Sequence, residues 1–371
     1  MGRYLRIYKV IGQTFGLWFR PFGAFALLQL RQFISAITLG LDHVFYPRHR
    51  KQVIDRPIFI IGNPRSGTTF LHRLLLGAGD MAALELWEML FPAITARKLL
   101  GGIVPRLDKL SPARYHPSDV HDTSLRGIET DDVAWFFRTM DGPFAWAYFL
   151  AWQDTWGSGL SRRQFAIDGV TPREEDRFFG YYDACWRRNL TLKGANRVLA
   201  KTSMLTMRLD AVLRRYPDCK LVYVIRDPVE VIPSGMSLLA SVLENGYDVW
   251  NRTTKEDQRR WMENLYQASC DMLRSFYDAH SAGRIPEHNL CIVRYEDLIN
   301  DLEPTMARIL DFVEIKPSDE FVEEVRAQAE RQRNYTSKHG HSPAQFGLSP
   351  ERIRADLGFV YEAFGLSEAA G

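Results

Sequence analysis

Four short, wholly apolar runs set the frame of the chain. Ile58-Phe59-Ile60-Ile61 lies between Pro57 and Gly62 and contains no polar position, the pattern of a strand buried on both faces. Residues 198–200, 221–225 and 290–293 repeat that pattern much later. Stretches of helical periodicity stand between and after them, at 205–216 (closed by Pro217), 256–280 and 302–313. Strands that alternate with helices predict a parallel sheet covered on both sides, an α/β fold. The region at about 100–195 is less regular, broken by Pro105, Pro112, Pro117, Pro143 and Pro172, and reads as an insertion of helices and long loops. With no internal repeat and no low-complexity linker, residues 57–371 read as one domain carrying that insertion, preceded by a helical arm at 1–56.

The arm is unusual. Residues 17–45 are rich in Phe, Leu, Ile and Ala, but Arg20 and Arg31 leave uncharged runs of ten residues each, 21–30 and 32–41. A spanning helix needs about 20 consecutive apolar residues, so neither run crosses a bilayer alone. The basic start (Arg3, Arg6, Lys9) lacks the cleavage site of a signal peptide. Two readings stay open: a helix packed on the main domain, or an amphipathic element at a membrane interface. Basic residues beside Trp18, Phe19, Phe22 and Phe25 have the composition of the second.

Composition narrows the function classes. Forty-seven Lys and Arg against 45 Asp and Glu leave a net charge of +2, which gives no global reason to expect nucleic acid. The 46% hydrophobic content is ample for a core, and a 25% charged fraction of balanced sign excludes a disordered polyelectrolyte. Cys185, Cys219, Cys270 and Cys291 form no CxxC pair, which argues for reduced thiols in a cytoplasmic chain, at most peripheral to a membrane, rather than a zinc ribbon or a disulfide scaffold.

The first apolar run leads into Gly62-Asn63-Pro64-Arg65-Ser66-Gly67-Thr68-Thr69, followed by a helical run from Phe70. Strand, glycine-bracketed loop and helix N-terminus together form an anion cradle of backbone N–H groups and a positive dipole end. The spacing equals that of the nucleotide-binding P-loop, GxxxxGK[ST], except that Thr68 replaces the lysine that would reach the outer phosphates of a nucleoside triphosphate. Arg65 places a cation inside the loop instead.

Pro64-Arg65-Ser66-Gly67-Thr68-Thr69 resembles the 5′-phosphosulfate loop of sulfotransferases that use 3′-phosphoadenosine 5′-phosphosulfate (PAPS). Arg226, at the end of the run 221–225, and Ser234, eight residues on, resemble that family's 3′-phosphate pair. Leu199-Ala200-Lys201-Thr202-Ser203, Val293-Arg294-Tyr295-Glu296-Asp297-Leu298 and Phe346-Gly347-Leu348-Ser349 followed by Ile353 and Tyr361 resemble further stretches of the group, so the resemblance covers about residues 57 to 365.

The resemblance implies a P-loop-type three-layer fold with a central parallel sheet flanked by helices. It implies PAPS as donor, adenosine 3′,5′-bisphosphate as product, and no metal. Arg65, Ser66, Gly67, Thr68, Thr69 and Phe70 would hold the 5′-phosphosulfate, with Lys201 a further cation near the bridging oxygen, and Arg226 with Ser234 would hold the 3′-phosphate. For the general base the family points to the window Leu84-Glu85-Leu86-Trp87-Glu88, where Glu88 is favoured over Glu85, with His72 and His121 as outside candidates. Glu129 and Asp131 resemble an acidic patch on the acceptor side, and Tyr335 and Lys338 fall in a segment that covers the donor in relatives. The pair His339 and His341 has no carboxylate or cysteine neighbour to suggest a metal.

Two other readings compete. A P-loop kinase or NTPase lacks its lysine and a persuasive acidic strand end here, and a non-catalytic membrane-surface scaffold is motivated only by residues 1–50. The aromatic stretch Trp135, Phe136, Phe137, Phe144, Trp146, Tyr148, Phe149, Trp152 and Trp156, taken with the arm, points to a hydrophobic, lipid-like alcohol as acceptor.

Overall fold

The computed structural model describes residues 2–107, 124–128, 130–139, 142–165, 171–333 and 343–366; His121, Glu129, Tyr335, Lys338, His339 and His341 lie outside them. Contacts divide the chain into two units, one of residues 1–54, 82–196 and 238–265, the other of 55–81, 197–237 and 266–371.

The second unit is built on a sheet of β1 (Ile58–Ile61), β2 (Met81–Ala82), β3 (Arg197–Lys201), β4 (Lys220–Ile225) and β5 (Leu290–Arg294), in the order β2-β3-β1-β4-β5. β1 pairs in parallel with β3 (Ile60 opposite Lys201) and with β4 (Ile61 opposite Tyr223), and β4 pairs in parallel with β5. In β1, β3 and β4 the absence of alternation follows from burial on both sides, whereas the edge strand β5 alternates between half-buried and buried positions. Ile58, Ile60, Val222, Val224 and Val293 pack on Leu71, Leu75 and Ile309, residues of the helices Thr68–Leu76 and Leu302–Phe312. Phe59 and Tyr223 point the other way, toward Tyr216 and toward Phe276 with Phe364. Each such side chain contributes about 1.5–3 kcal/mol by leaving water. The result is the three-layer α/β arrangement expected from the pattern. β2, two residues long, carries too little pattern to be read in advance.

Chain order positions the site. After β1 the chain passes to the outer strand β2 and returns through β3; after β4 it goes to β5 on the opposite edge. The carboxyl ends of the adjacent strands β1 and β4 therefore lead in opposite directions, the crevice where open parallel sheets bind ligands.

The first unit is helical. Its helix Pro172–Lys193, 22 residues long, starts at a capping box in which the Glu174 N–H donates to Thr171 Oγ1 (3.3 Å) and the Thr171 N–H donates to Glu174 Oε2 (3.1 Å). Its core is aromatic: Trp152 stacks on Trp261 at 5.0 Å and meets Phe15 of the arm helix Gly2–Phe15 edge-on at 5.3 Å.

The arm's second helix runs unbroken from Arg20 to Phe45, 26 residues, and the segment Pro21–Phe45 is long and apolar enough to cross a membrane. The two ten-residue runs of the sequence are thus one element. Arg31 does not interrupt it, because its Nη1 turns to the Leu90 carbonyl at 2.8 Å. The inner face is tied down by Asp42, which is fully buried. Its carboxylate accepts from the N–H groups of Ile94 (2.9 Å) and Thr95 (2.8 Å), from Thr95 Oγ1 (2.7 Å) and from Arg188 Nε (2.8 Å).

Asp42→Ala leaves Arg188 charged and buried without its carboxylate, which should cost about 3–5 kcal/mol. Urea unfolding monitored by circular dichroism checks this, and a loss below about 1 kcal/mol would contradict the role given to Asp42.

Candidate functional site

The loop after β1 is shaped by its own backbone. Gly62 has φ 137°, and a Cβ there would stand 2.4 Å from the Val224 carbonyl oxygen of β4. Gly67, at φ 91°, caps the helix Thr68–Leu76, and a Cβ there would meet the Tyr295 ring at 2.8 Å. Only glycine suits either place. Asn63 Nδ2 anchors the loop to the Ser269 carbonyl (3.1 Å), and the Ser66 hydroxyl closes it on the Asn63 carbonyl (2.7 Å). Arg65 itself adopts φ 76°, a left-handed conformation that costs a non-glycine residue about 1–3 kcal/mol and clusters at functional sites.

That strained backbone aims Arg65 across to the element following β4. Its Nε donates to Ser234 Oγ at 3.2 Å, while Arg226 Nη1 donates to the Arg65 carbonyl at 3.0 Å. The two arginines and Ser234, expected from the sequence to serve opposite ends of one ligand, thus form one contiguous wall at the switch point of the sheet. Burial, and next the neighbouring Arg226 charge, pull the Arg65 guanidinium below its ordinary value. It stays protonated at neutral pH, so two cations are held close in a partly desolvated place, where an anion binds strongly.

Arg226 is held from three sides. Besides the Arg65 carbonyl, its Nε and Nη2 donate to Glu230 Oε2 at 2.9 and 2.6 Å, and its guanidinium lies over the Tyr295 ring at 4.2 Å. The turn behind it is fixed by Asp227, whose Oδ1 accepts from the Val229 N–H (2.8 Å) and from the Tyr361 hydroxyl (2.5 Å). Burial and that hydrogen bond raise the Tyr361 phenol above its ordinary value. Sequence reasoning missed Glu230, and it marked Tyr295 and Tyr361 as parts of family-like stretches without giving them a place in this wall. The i,i+4 spacing of Arg226 and Glu230 was readable; the other two are brought in by the fold.

Lys201 leaves the end of β3 and donates to Thr69 Oγ1 at 2.8 Å, which puts its ammonium beside the start of the loop helix. Thr68 is buried in the first turn of that helix. Phe70 packs against the apolar layer under the sheet, so its side chain belongs to the core. His72 is also buried, with Nε2 3.1 Å from the Leu199 carbonyl, where it ties the helix to β3.

Glu85 and Glu88 belong to the first unit and open the short helix Leu86–Leu90. Glu88 is buried, and its carboxylate takes the Glu85 N–H (2.8 Å), Lys193 Nζ (2.8 Å) and, at 3.5 Å, Arg97 Nη1. Glu85 is half-exposed and accepts from the Trp87 indole N–H at 2.7 Å. Lys193 and Arg97 are far from this helix in sequence, and no spacing signalled them. Asp131 is buried beneath the Tyr182 hydroxyl, which donates to it at 2.8 Å. Of the aromatic stretch, Trp146 and Trp152 are core residues. Phe136, Phe144 and Tyr148 form a half-buried group with ring centroids 6.1–6.3 Å apart.

A parallel sheet with a glycine-bracketed anion loop at its switch point, lacking the P-loop lysine and walled by two arginines, defines a group-transfer enzyme of the P-loop type. A model of the sulfotransferase family matches residues 57–319, and the chain belongs to that family. It is an enzyme that transfers sulfuryl groups. Over 285 residues it is 25% identical to the Mycobacterium bovis protein named omega-hydroxy-beta-dihydromenaquinone-9 sulfotransferase Stf3, covering 74% of this chain and 67% of that one. The crystal structure of sulfotransferase STF1 from Mycobacterium tuberculosis H37Rv superposes with a TM-score of 0.68 at 20% identity, covering 96% of this chain and 90% of that one. Sulfotransferase STF9 from Mycobacterium avium gives 0.67 at 16% identity, with 89% and 82% covered. These structures share the fold.

Proposed function

We propose that the chain moves the sulfuryl group of PAPS to the hydroxyl of a hydrophobic, lipid-like alcohol. The observation that carries this reading is the wall of Arg65, Ser234 and Arg226 at the switch point, which offers cations and hydroxyl donors to two anionic groups on one nucleotide. The loop of residues 62–67 and the helix start at Thr68 take the 5′-phosphosulfate, and Arg226 takes the 3′-phosphate with Ser234. To do so, the phosphate replaces Glu230 on the Arg226 fork. The absent lysine of the nucleoside-triphosphate loop weakens the kinase alternative.

The chemistry follows from that placement. The acceptor oxygen attacks sulfur in line with the bridging oxygen; the new S–O bond forms as the old one breaks, and adenosine 3′,5′-bisphosphate leaves. Charge grows on the bridging oxygen, where Lys201 and Arg65 would stabilise it, and losing one preorganised donor of this kind costs ~10²–10³ in rate. By the resemblance to the family, the acceptor proton passes to a carboxylate of the window 84–88, Glu85 or Glu88. Glu88 is buried and held by Lys193, Arg97 and the Glu85 N–H, whereas Glu85, which takes the Trp87 indole and the Glu88 N–H, is half-buried. The greater access of Glu85 supports it as base and Glu88 as the residue that positions it. Support for a lipid-like acceptor comes from the half-buried Phe136, Phe144 and Tyr148 and from the relative named for a hydroxylated menaquinone.

Thermal unfolding with added nucleotide tests the donor. Adenosine 3′,5′-bisphosphate should stabilise the wild type, by about 2.7 kcal/mol at a hundredfold excess over Kd, and should leave Arg65→Ala unmoved. Stabilisation by ATP with magnesium alone would move the chain to the kinase reading.

Steady-state turnover with PAPS separates the two carboxylates. Glu85→Gln should lower kcat by ~10²–10⁴ with donor binding intact, as expected for loss of a general base. Glu88→Gln should lower the unfolding midpoint as well as kcat. A Glu85→Gln enzyme of normal kcat would return the role to Glu88.

A further inference from the structure

The helix Arg20–Phe45 has one face that the described residues of its unit leave largely open, with Tyr8 against Phe22 at one end. Phe22, Leu27, Leu30, Phe33, Val44 and Phe45 are each more than half exposed. At 3.6 residues per turn these positions project within an arc of ~140°. Every position of the helix that falls in this arc is Phe, Leu, Ile, Val, Ala or Gly, so an uncharged apolar stripe runs its whole length. Arg31, Thr38 and Asp42 fall outside this arc, along one flank of it, with Arg31 and Asp42 bonded to protein groups outside the helix.

The exposed charges of the arm itself are of one sign. The first 54 residues contain eight Arg and Lys but a single acidic residue, Asp42, and that one is fully buried. Arg6 and Lys9 are exposed on the first helix, and Arg48, Arg50 and Lys51 are exposed in the turn that directly follows Phe45. The whole chain is nearly neutral by contrast, at +2.

We propose that this face lies in the plane of an anionic lipid bilayer, with the stripe sunk to the boundary of headgroups and acyl chains and the flanking basic residues on lipid phosphates. An apolar arc bordered by cations is the composition of an interfacial helix. The same helix does not span the bilayer, because crossing would carry buried Asp42, with its bonds to Ile94, Thr95 and Arg188, into hydrocarbon. Neither a second copy nor an acidic protein explains both features: the copy would bring like charges together, and an acidic partner has no use for an uninterrupted apolar stripe. The inference is independent of the sulfuryl-transfer reading, since it uses no residue of the donor wall.

The test is flotation of the full chain with vesicles of phosphatidylcholine alone and of phosphatidylcholine mixed with phosphatidylglycerol, at low and high salt. The wild type should float with the anionic vesicles, less so as salt rises. Leu30→Glu with Phe33→Glu should weaken partitioning by more than about tenfold. Arg48→Glu with Arg50→Glu should remove the preference for anionic lipid. Both variants should keep the wild-type Tm and the wild-type response to adenosine 3′,5′-bisphosphate, which shows that the fold survives. Three results would overturn the proposal: no flotation of the wild type, equal flotation of the Leu30/Phe33 variant, or retention of the bound protein through alkaline carbonate extraction, which marks a spanning helix. Sedimentation velocity showing a dimer that Leu30→Glu dissolves would likewise give the face to a second copy.

Discussion

Two guanidinium groups held close together at the carboxyl edge of β1 and β4 are the constraint around which the second unit is arranged. Like charges in a partly buried place repel, and the shift of Arg65 caused by burial and by Arg226 records that cost. The surrounding structure offsets it: the Arg65 carbonyl and Glu230 accept from Arg226, Tyr295 lies under it, and Asp227 with Tyr361 fixes the turn that carries it. The positive φ of Arg65 is a further cost borne at the same point. A fold keeps such an arrangement where an anion completes it, and the one oxygen of Glu230 that takes both Nε and Nη2 of Arg226 occupies the fork a phosphate oxygen would use.

Much of this was legible in the sequence because it is local. The strand Ile58–Ile61 is apolar at every position, since both of its faces are covered, and the glycines on either side of Arg65 mark the turn. Arg226 and Ser234 could be found because a strand end and the first turns of the next helix are adjacent in the chain. What could not be read depends on distant residues. Tyr361 reaches Asp227 across 134 positions, and Lys193 reaches Glu88 across 105. Glu88, the favoured base from sequence, is tied to cations that no spacing announces. The arm's uncharged runs of ten residues did not show the length of its helix, because a charge does not end an apolar segment when the arginine turns its head to a carbonyl of another element.

The two units are built differently. The second carries Arg65, Arg226 and Ser234 at and beyond its strand ends, where a rigid sheet fixes positions. The first is helical and carries Glu85, Glu88, the half-buried aromatic group and the arm. Its buried polar links, Asp42 with Arg188 and Glu88 with Arg97, set how its helices pack, a use of ion pairs that specifies arrangement more than it adds stability.

The central claim is that one nucleotide is gripped through two separate anions, with Arg226 on the 3′-phosphate. Isothermal calorimetry of adenosine 3′,5′-bisphosphate and of adenosine 5′-monophosphate, each on the wild type and on Arg226→Ala, tests it as a double-mutant cycle. The account predicts that the bisphosphate binds the wild type at least about tenfold more tightly than the monophosphate, and that this advantage vanishes in the variant. An advantage of equal size in Arg226→Ala would show that the 3′-phosphate is held elsewhere and would contradict the account.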